Sequence, residues 1–327
     1  MKRKFVTEYA YGFMNSYTFM TPAHQLLSDN KLNNSQEEQI AGCHIYVIAM
    51  RPTPYFDPDS LQCENNLLSG TLCHKVNGKE IRTVFDNYRW NIEDNSTLEC
   101  PYPHREITCR LPDGSEGEYY VPASALACEY KSPENELNDY EVLYIGQAIG
   151  NKAKRSAVDR LKSHSTLQKI LALTSQDLPD NEIMIFMYEF ENDQLLSSID
   201  GLAKNANNTP ENENRLMNAI RNPPNKKQKI GLIEAGLIRY FRPKYNEIFK
   251  IKFPSAKHKV LQSCKDLDAT GLVVELDSSD LGYRLFSPTV SASEHHSAHF
   301  DLVSQEKRMS FFNTTRFDSL PNVISSK

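Results

Sequence analysis

Long hydrophobic runs are missing: no stretch of about 18 apolar residues occurs, so no segment reads as a membrane-spanning helix. A leader pattern is missing as well. Met1-Lys2-Arg3-Lys4-Phe5 begins basic, but Thr7, Glu8 and Asn15 interrupt the apolar region of a signal peptide, and the expected location is cytoplasmic. Cysteine is sparse and unpatterned, with seven residues and no Cys-x-x-Cys pair, which speaks against a disulfide framework or a zinc ribbon. Cys43-His44 and Cys73-His74 carry donor atoms for a metal, but buried free thiols are the simpler expectation. The one tryptophan, Trp90, follows Arg89 and is expected in the core of a small β-domain rather than stacked on bases.

What is present suits a folded, water-exposed chain: 327 residues, 39% hydrophobic and 24% charged, enough for one large decorated domain or two domains. The formal charge of −5 argues against a polyanionic partner until its distribution is read. Residues 141–260 hold 19 Lys+Arg against 13 Asp+Glu, a net of +6, and the remainder holds 18 against 29, a net of −11. Local positive potential, not a basic whole, is what a phosphate-binding surface requires.

Apolar and β-branched runs predict strands at Cys43 to Met50, ended by Arg51-Pro52-Thr53-Pro54, at Glu141 to Gly146, and at Glu182 to Phe190. Helical spacing of Val158, Leu161, Leu167, Ile170 and Leu171 predicts a helix over Ala157 to Leu173, with Arg160 and His164 four residues apart on one face. A second helix, Ile230 to Phe241, carries Glu234 between apolar neighbours. Between the first two strands the pattern is β, with turns at Asn77-Gly78 and Pro112-Asp113-Gly114. Further strands are expected at Gly271 to Leu276 and Tyr283 to Phe286. His295, His296 and His299 read as a strand edge or loop rather than a metal site.

Three words in order, Tyr144-Ile145-Gly146, then Arg160-Leu161-Lys162-Ser163-His164, then Ile233-Glu234 through Pro243-Lys244-Tyr245-Asn246, resemble the GIY-YIG nuclease family. His44-Ile45-Tyr46-Val47-Ile48 is close to that family's first word, Gly-Ile-Tyr-x-Ile, with histidine in place of glycine. The family joins its first two words by a short hairpin, whereas Tyr46 lies 98 residues before Tyr144; Tyr130, 14 residues before it, is the rival.

The resemblance implies an α/β fold with a small mixed, mainly antiparallel sheet flanked by helices. The nuclease core would take residues 40–54 and 139–255, with an N-terminal extension at 1–39, a mainly β insertion at 55–138 and a C-terminal β-containing extension at 256–327. It also implies Mg²⁺ (or Mn²⁺)-dependent endonuclease activity on DNA phosphodiester bonds, in restriction, phage defence or mobile-element biology. Glu234 would hold the metal. Arg160 would offer a fork of donors to phosphate, a role worth about 10³ to 10⁵ in rate elsewhere.

One of Tyr46 and Tyr144 would take the water's proton, directly or through His164, and the other would orient phosphate or water. An ordinary phenol titrates near about 10, and a neighbouring cation lowers that. Gly146 would admit close approach of substrate, Asn246 would tie the closing turn, and Lys152, Arg155 and Lys162 would contact nucleic acid. DNA is the expected partner, with no membrane, and a homodimer would let one site per chain cut two strands. Two alternatives keep the scaffold: an inactive DNA-binding or assembly protein, and a repair nuclease reading branched structures.

Overall fold

The computed structural model describes residues 3–27, 34–129, 136–148, 161, 164–201, 203–255, 257–263, 267–303 and 308–314. Its fold is mixed α/β with mostly antiparallel sheets. The central sheet has six strands in the order Val290–Ser293, Arg284–Ser287, Asp139–Gln147, Ile45–Pro52, Asn181–Glu189, Tyr17–Pro22. Ile45–Pro52 pairs antiparallel with both of its neighbours, and only the Asp139–Gln147 to Arg284–Ser287 contact is parallel.

These strands are apolar on both faces because both faces are covered. On one face Tyr46, Ile48, Ile185 and Met187 pack against Leu167 and Ile170 of the helix Ser165–Asp177 and against Leu26 and Ile40. On the other, Val47, Ala49, Ile145 and Phe186 meet Ile230, Ile233, Leu237 and Phe241 of the helix Lys226–Phe241. That helix is apolar nearly all round. The reason lies behind it: a second sheet, in the order Asn192–Ile199, Thr7–Met14, Gly271–Asp277, His295–Asp301, brings Leu272, Val274 and Phe300 onto its far side. A β-carbon added at Gly236 would meet Val274 Cγ2 at 3.0 Å and Phe300 Cε2 at 3.2 Å, which shows how closely the layers approach.

Residues 1–39, read from sequence as an extension, supply an interior strand to the second sheet (Thr7–Met14) and an edge strand to the central one (Tyr17–Pro22). The C-terminal strands join both sheets as well. Between Pro52 and Asp139 the chain leaves the central sheet and builds a small β-unit with its own core of Phe56, Leu72, Phe85, Trp90, Ile107 and Val121. Its long hairpin turns at Asn77 (φ 51°) and Gly78 (φ 76°), the two left-handed positions expected of an Asn-Gly turn.

Arg51 fastens this unit to the sheet. Its buried guanidinium donates to Glu182 Oε1 (2.7 Å), the Tyr140 hydroxyl (2.6 Å) and the carbonyls of Leu137 (2.9 Å) and Ser124 (3.0 Å). Burial works against its charge, but the Tyr140 and Glu182 oxygens outweigh it and hold the group protonated.

Candidate functional site

The two paired strands decide where the tyrosines go. Ile45–Pro52 and Asp139–Gln147 run antiparallel with Tyr46 opposite Gly146, Val47 opposite Ile145 and Ile45 opposite Gln147. A bulge at Leu143 shifts the register, and beyond it Tyr144 and Gly146 share the face of Tyr46. Tyr46 is thus on the strand that pairs with that of Tyr144, while Tyr130 lies outside the described residues. The Tyr46 and Tyr144 rings are 6.1 Å apart.

Gly146 was expected to admit substrate, but the space above it belongs to Tyr46. A β-carbon there would stand 2.5 Å from Cζ and from the phenol oxygen of Tyr46, and 2.9 Å from Cε1 of Tyr144. No rearrangement short of moving a ring would accommodate it.

His164 closes the cluster. The Tyr46 hydroxyl and His164 Nε2 share a hydrogen bond of 3.3 Å, and the imidazole centroid lies 5.3 Å from that of Tyr144. Of the helix predicted over Ala157 to Leu173, the residues from Ser165 on are helical and His164 is not, while Ala157 to Arg160 lie outside the described residues. His164 is extended (φ −84°, ψ 112°) and stands as the N-cap of the helix Ser165–Asp177. Contact of its ring with two tyrosines overrides the helical spacing that predicted otherwise. Arg160, Lys152, Arg155 and Lys162 lie outside the described residues.

Glu234 approaches from the other side of the sheet, since Gln147 and Ile145 point opposite to Gly146. Its Oε2 accepts a hydrogen bond from Gln147 Nε2 at 2.8 Å, so the last residue of the Tyr144 strand fixes the carboxylate at the strand's end. Gln147 was not singled out in the sequence; its place directly after Gly146, with opposite facing, is the signal that would have found it.

Asn246 ties the segment after the helix Lys226–Phe241 to the strand of Tyr144. It accepts from the Ile145 N–H (2.9 Å) and donates to the Ile145 carbonyl (2.8 Å), acting as a one-residue strand neighbour, and the Tyr245 N–H bonds the Leu143 carbonyl (3.0 Å). His44, the residue in the glycine position of the first word, has its imidazole held toward the neutral form by burial and then by the charge of Lys226. Burial pushes the neighbouring Cys43 thiol up to about 12, which removes it as a nucleophile.

Among the described residues no group of three or more His, Cys, Asp or Glu could cage a metal ion. A single half-buried carboxylate steadied by an amide, as at Glu234, still fits Mg²⁺, which keeps most of its waters and takes one or two carboxylates together with substrate oxygens. No protein-family model matches this chain, and no curated protein or solved structure matches it either.

Proposed function

We propose that this chain is a Mg²⁺-dependent endonuclease of GIY-YIG type acting on DNA. The observation that carries the reading is the convergence of Tyr46, Tyr144 and His164 beside Gly146, whose side-chain space the Tyr46 ring fills, at the strand end where Gln147 holds Glu234. Bound at Glu234, Mg²⁺ supplies charge neutralisation at the phosphate and the leaving oxygen.

The chain's own groups divide the remaining work. Tyr46 is 1% exposed, so it is a positioning residue: its hydroxyl holds the His164 imidazole and exchanges a proton with it. Tyr144 and His164 are only half-buried and are the pair that meets the attacking water and the phosphate. Arg160, by its place in the second word, is assigned to the phosphate charge. The target site, the restriction or defence setting and a homodimeric state are parts of the same proposal.

The test uses purified protein with Mg²⁺ on linear, supercoiled and branched DNA beside a Glu234→Ala variant. Cleavage by the wild type alone supports the reading. Equal cleavage by both removes Glu234 from the site, binding without cleavage of any substrate favours an inactive binding protein, and cutting confined to branched DNA favours a repair enzyme.

A further inference from the structure

Two isoleucines stand in solvent beside the proposed site. Ile248 is 68% exposed and Ile251 is 77% exposed, although isoleucine is among the residues most often fully buried. Their position follows from the chain's course. Tyr245 bonds Leu143 and Asn246 bonds Ile145, so numbers rise together along both segments and the chain reaches residue 247 at the Gly146–Gln147 end of the strand.

The loop that follows is held from inside. Phe249 adopts φ 66°, a left-handed conformation that aromatic residues rarely take. Its ring packs edge-on against Phe253 at 5.9 Å and His258 at 5.0 Å. Arg239, one turn beyond Glu234 on the same helix, donates from Nε to the Phe253 carbonyl (2.9 Å) and from Nη1 to the Lys250 carbonyl (3.2 Å). A backbone pinned this way keeps Ile248 and Ile251 pointing out rather than letting them collapse inward.

The charges beside them choose the partner. Lys250 and Lys252 alternate with the isoleucines, Lys244 is exposed just upstream, and among the described residues none of the three forms an ion pair with a carboxylate. Glu247 is the one acidic side chain of the loop. Cations interleaved with projecting apolar side chains suit a duplex nucleic acid, whose phosphates lie outside and whose base steps admit an isoleucine wedge that unstacks and kinks them. A lipid surface is gripped by the whole face of an amphipathic helix, which six loop residues do not offer.

We infer that residues 247–252 form a wedge that enters duplex DNA beside the cleaved bond, with Ile248 and Ile251 against base steps and Lys250 and Lys252 on phosphates. This rests on the nuclease reading and adds to it that the substrate is bent when bound.

The experiment uses the full chain without divalent metal and an end-labelled duplex of ~30 base pairs, reading affinity by anisotropy and end-to-end distance by energy transfer. Wild type shortens the distance. Ile248→Ser with Ile251→Ser keeps the wild-type melting temperature, loses about tenfold or more in affinity and abolishes the shortening. Lys250→Gln with Lys252→Gln lowers the salt-dependence slope by about 2. The wedge is overturned if the isoleucine variant bends and binds DNA as wild type does, or if wild type binds without bending. It is also overturned if the isoleucine change removes binding to phosphatidylglycerol vesicles while DNA binding stays intact, which would reassign the patch to lipid. DNA cleavage with unaltered bending in the variant sinks the wedge alone, whereas a wild type that neither binds nor cuts any DNA sinks both readings.

Discussion

Gly146 and Tyr46 are cross-strand partners, and the phenol of Tyr46 occupies the volume where a side chain at 146 would stand. Overpacking of this kind costs about 1 to 3 kcal/mol. Gly146→Ala is therefore expected to lower stability by that amount in denaturant titration and to abolish activity, because the ring it displaces is the one that holds His164. Wild-type stability in this variant would show that the cluster relaxes freely.

The two tyrosines should fail differently. Tyr144→Phe removes the hydroxyl of a half-buried ring and is expected to lower kcat by about 10² to 10⁴ at every pH. Tyr46→Phe keeps the buried ring but drops the bond to His164 Nε2, so its signature is a displaced pH profile of kcat. Identical profiles for the two variants would remove the distinction between reacting and positioning roles.

Gln147→Leu leaves Glu234 without the amide that steadies it. Loss of such a supporting partner typically costs about 10 to 100-fold in metal affinity or activity. The Mg²⁺ concentration for half-maximal cleavage should rise by that factor while kcat at saturation changes little. A normal Mg²⁺ requirement would show that the contact is only structural.

Arg51→Met strands Glu182 in a site where Arg51 Nε now lies 2.7 Å from its carboxylate. Breaking one side of a buried ion pair costs about 3 to 5 kcal/mol, and here it also removes a donor from each of the Ser124 and Leu137 carbonyls. Chemical denaturation should register the loss, and proteolysis should cut first within residues 53–138.

Stability should rise with pH across a window set by His296. Its Nε2–H donates to the Leu285 carbonyl (2.9 Å), Nδ1 accepts from the Tyr240 hydroxyl (3.2 Å), and burial, aided by His295, brings the group down to about 4. An unfolded histidine titrates near about 6.5, so between those values the unfolded chain binds the extra proton and the folded one does not. The resulting stability, up to about 3 kcal/mol, is complete above the upper value and lost as pH falls toward the lower. His44, His258 and His299 are shifted in the same direction by burial. Denaturant midpoints from pH 4 to 7 check this, and a flat response would show that the buried imidazole is solvated.

How much of this was legible depended on whether a residue's partner was near it in sequence. The strands around Tyr46, Tyr144 and Phe186 and the helix of Glu234 announced themselves through apolar content alone. Thr7–Met14 did not, because its Glu8 is fully buried and is neutralised by Arg308, 300 residues away, so no local pattern marks it as an interior strand. That His164 is extended rather than helical is not legible either, because spacing carries no trace of a ring drawn toward Tyr46. Gln147 carries no local signal of its contact because its partner, Glu234, comes 87 residues later.

The 86 residues between Pro52 and Asp139 set a condition on how this chain reaches its native state. Joining two strands across a loop of about a hundred residues rather than about ten adds roughly 2 kcal/mol of closure entropy. The unit built around Phe56, Phe85 and Trp90 shortens that effective span when it condenses first. During synthesis the strand bearing Tyr46 must then wait, unpaired and prone to association with other chains, until the segment bearing Gly146 has emerged.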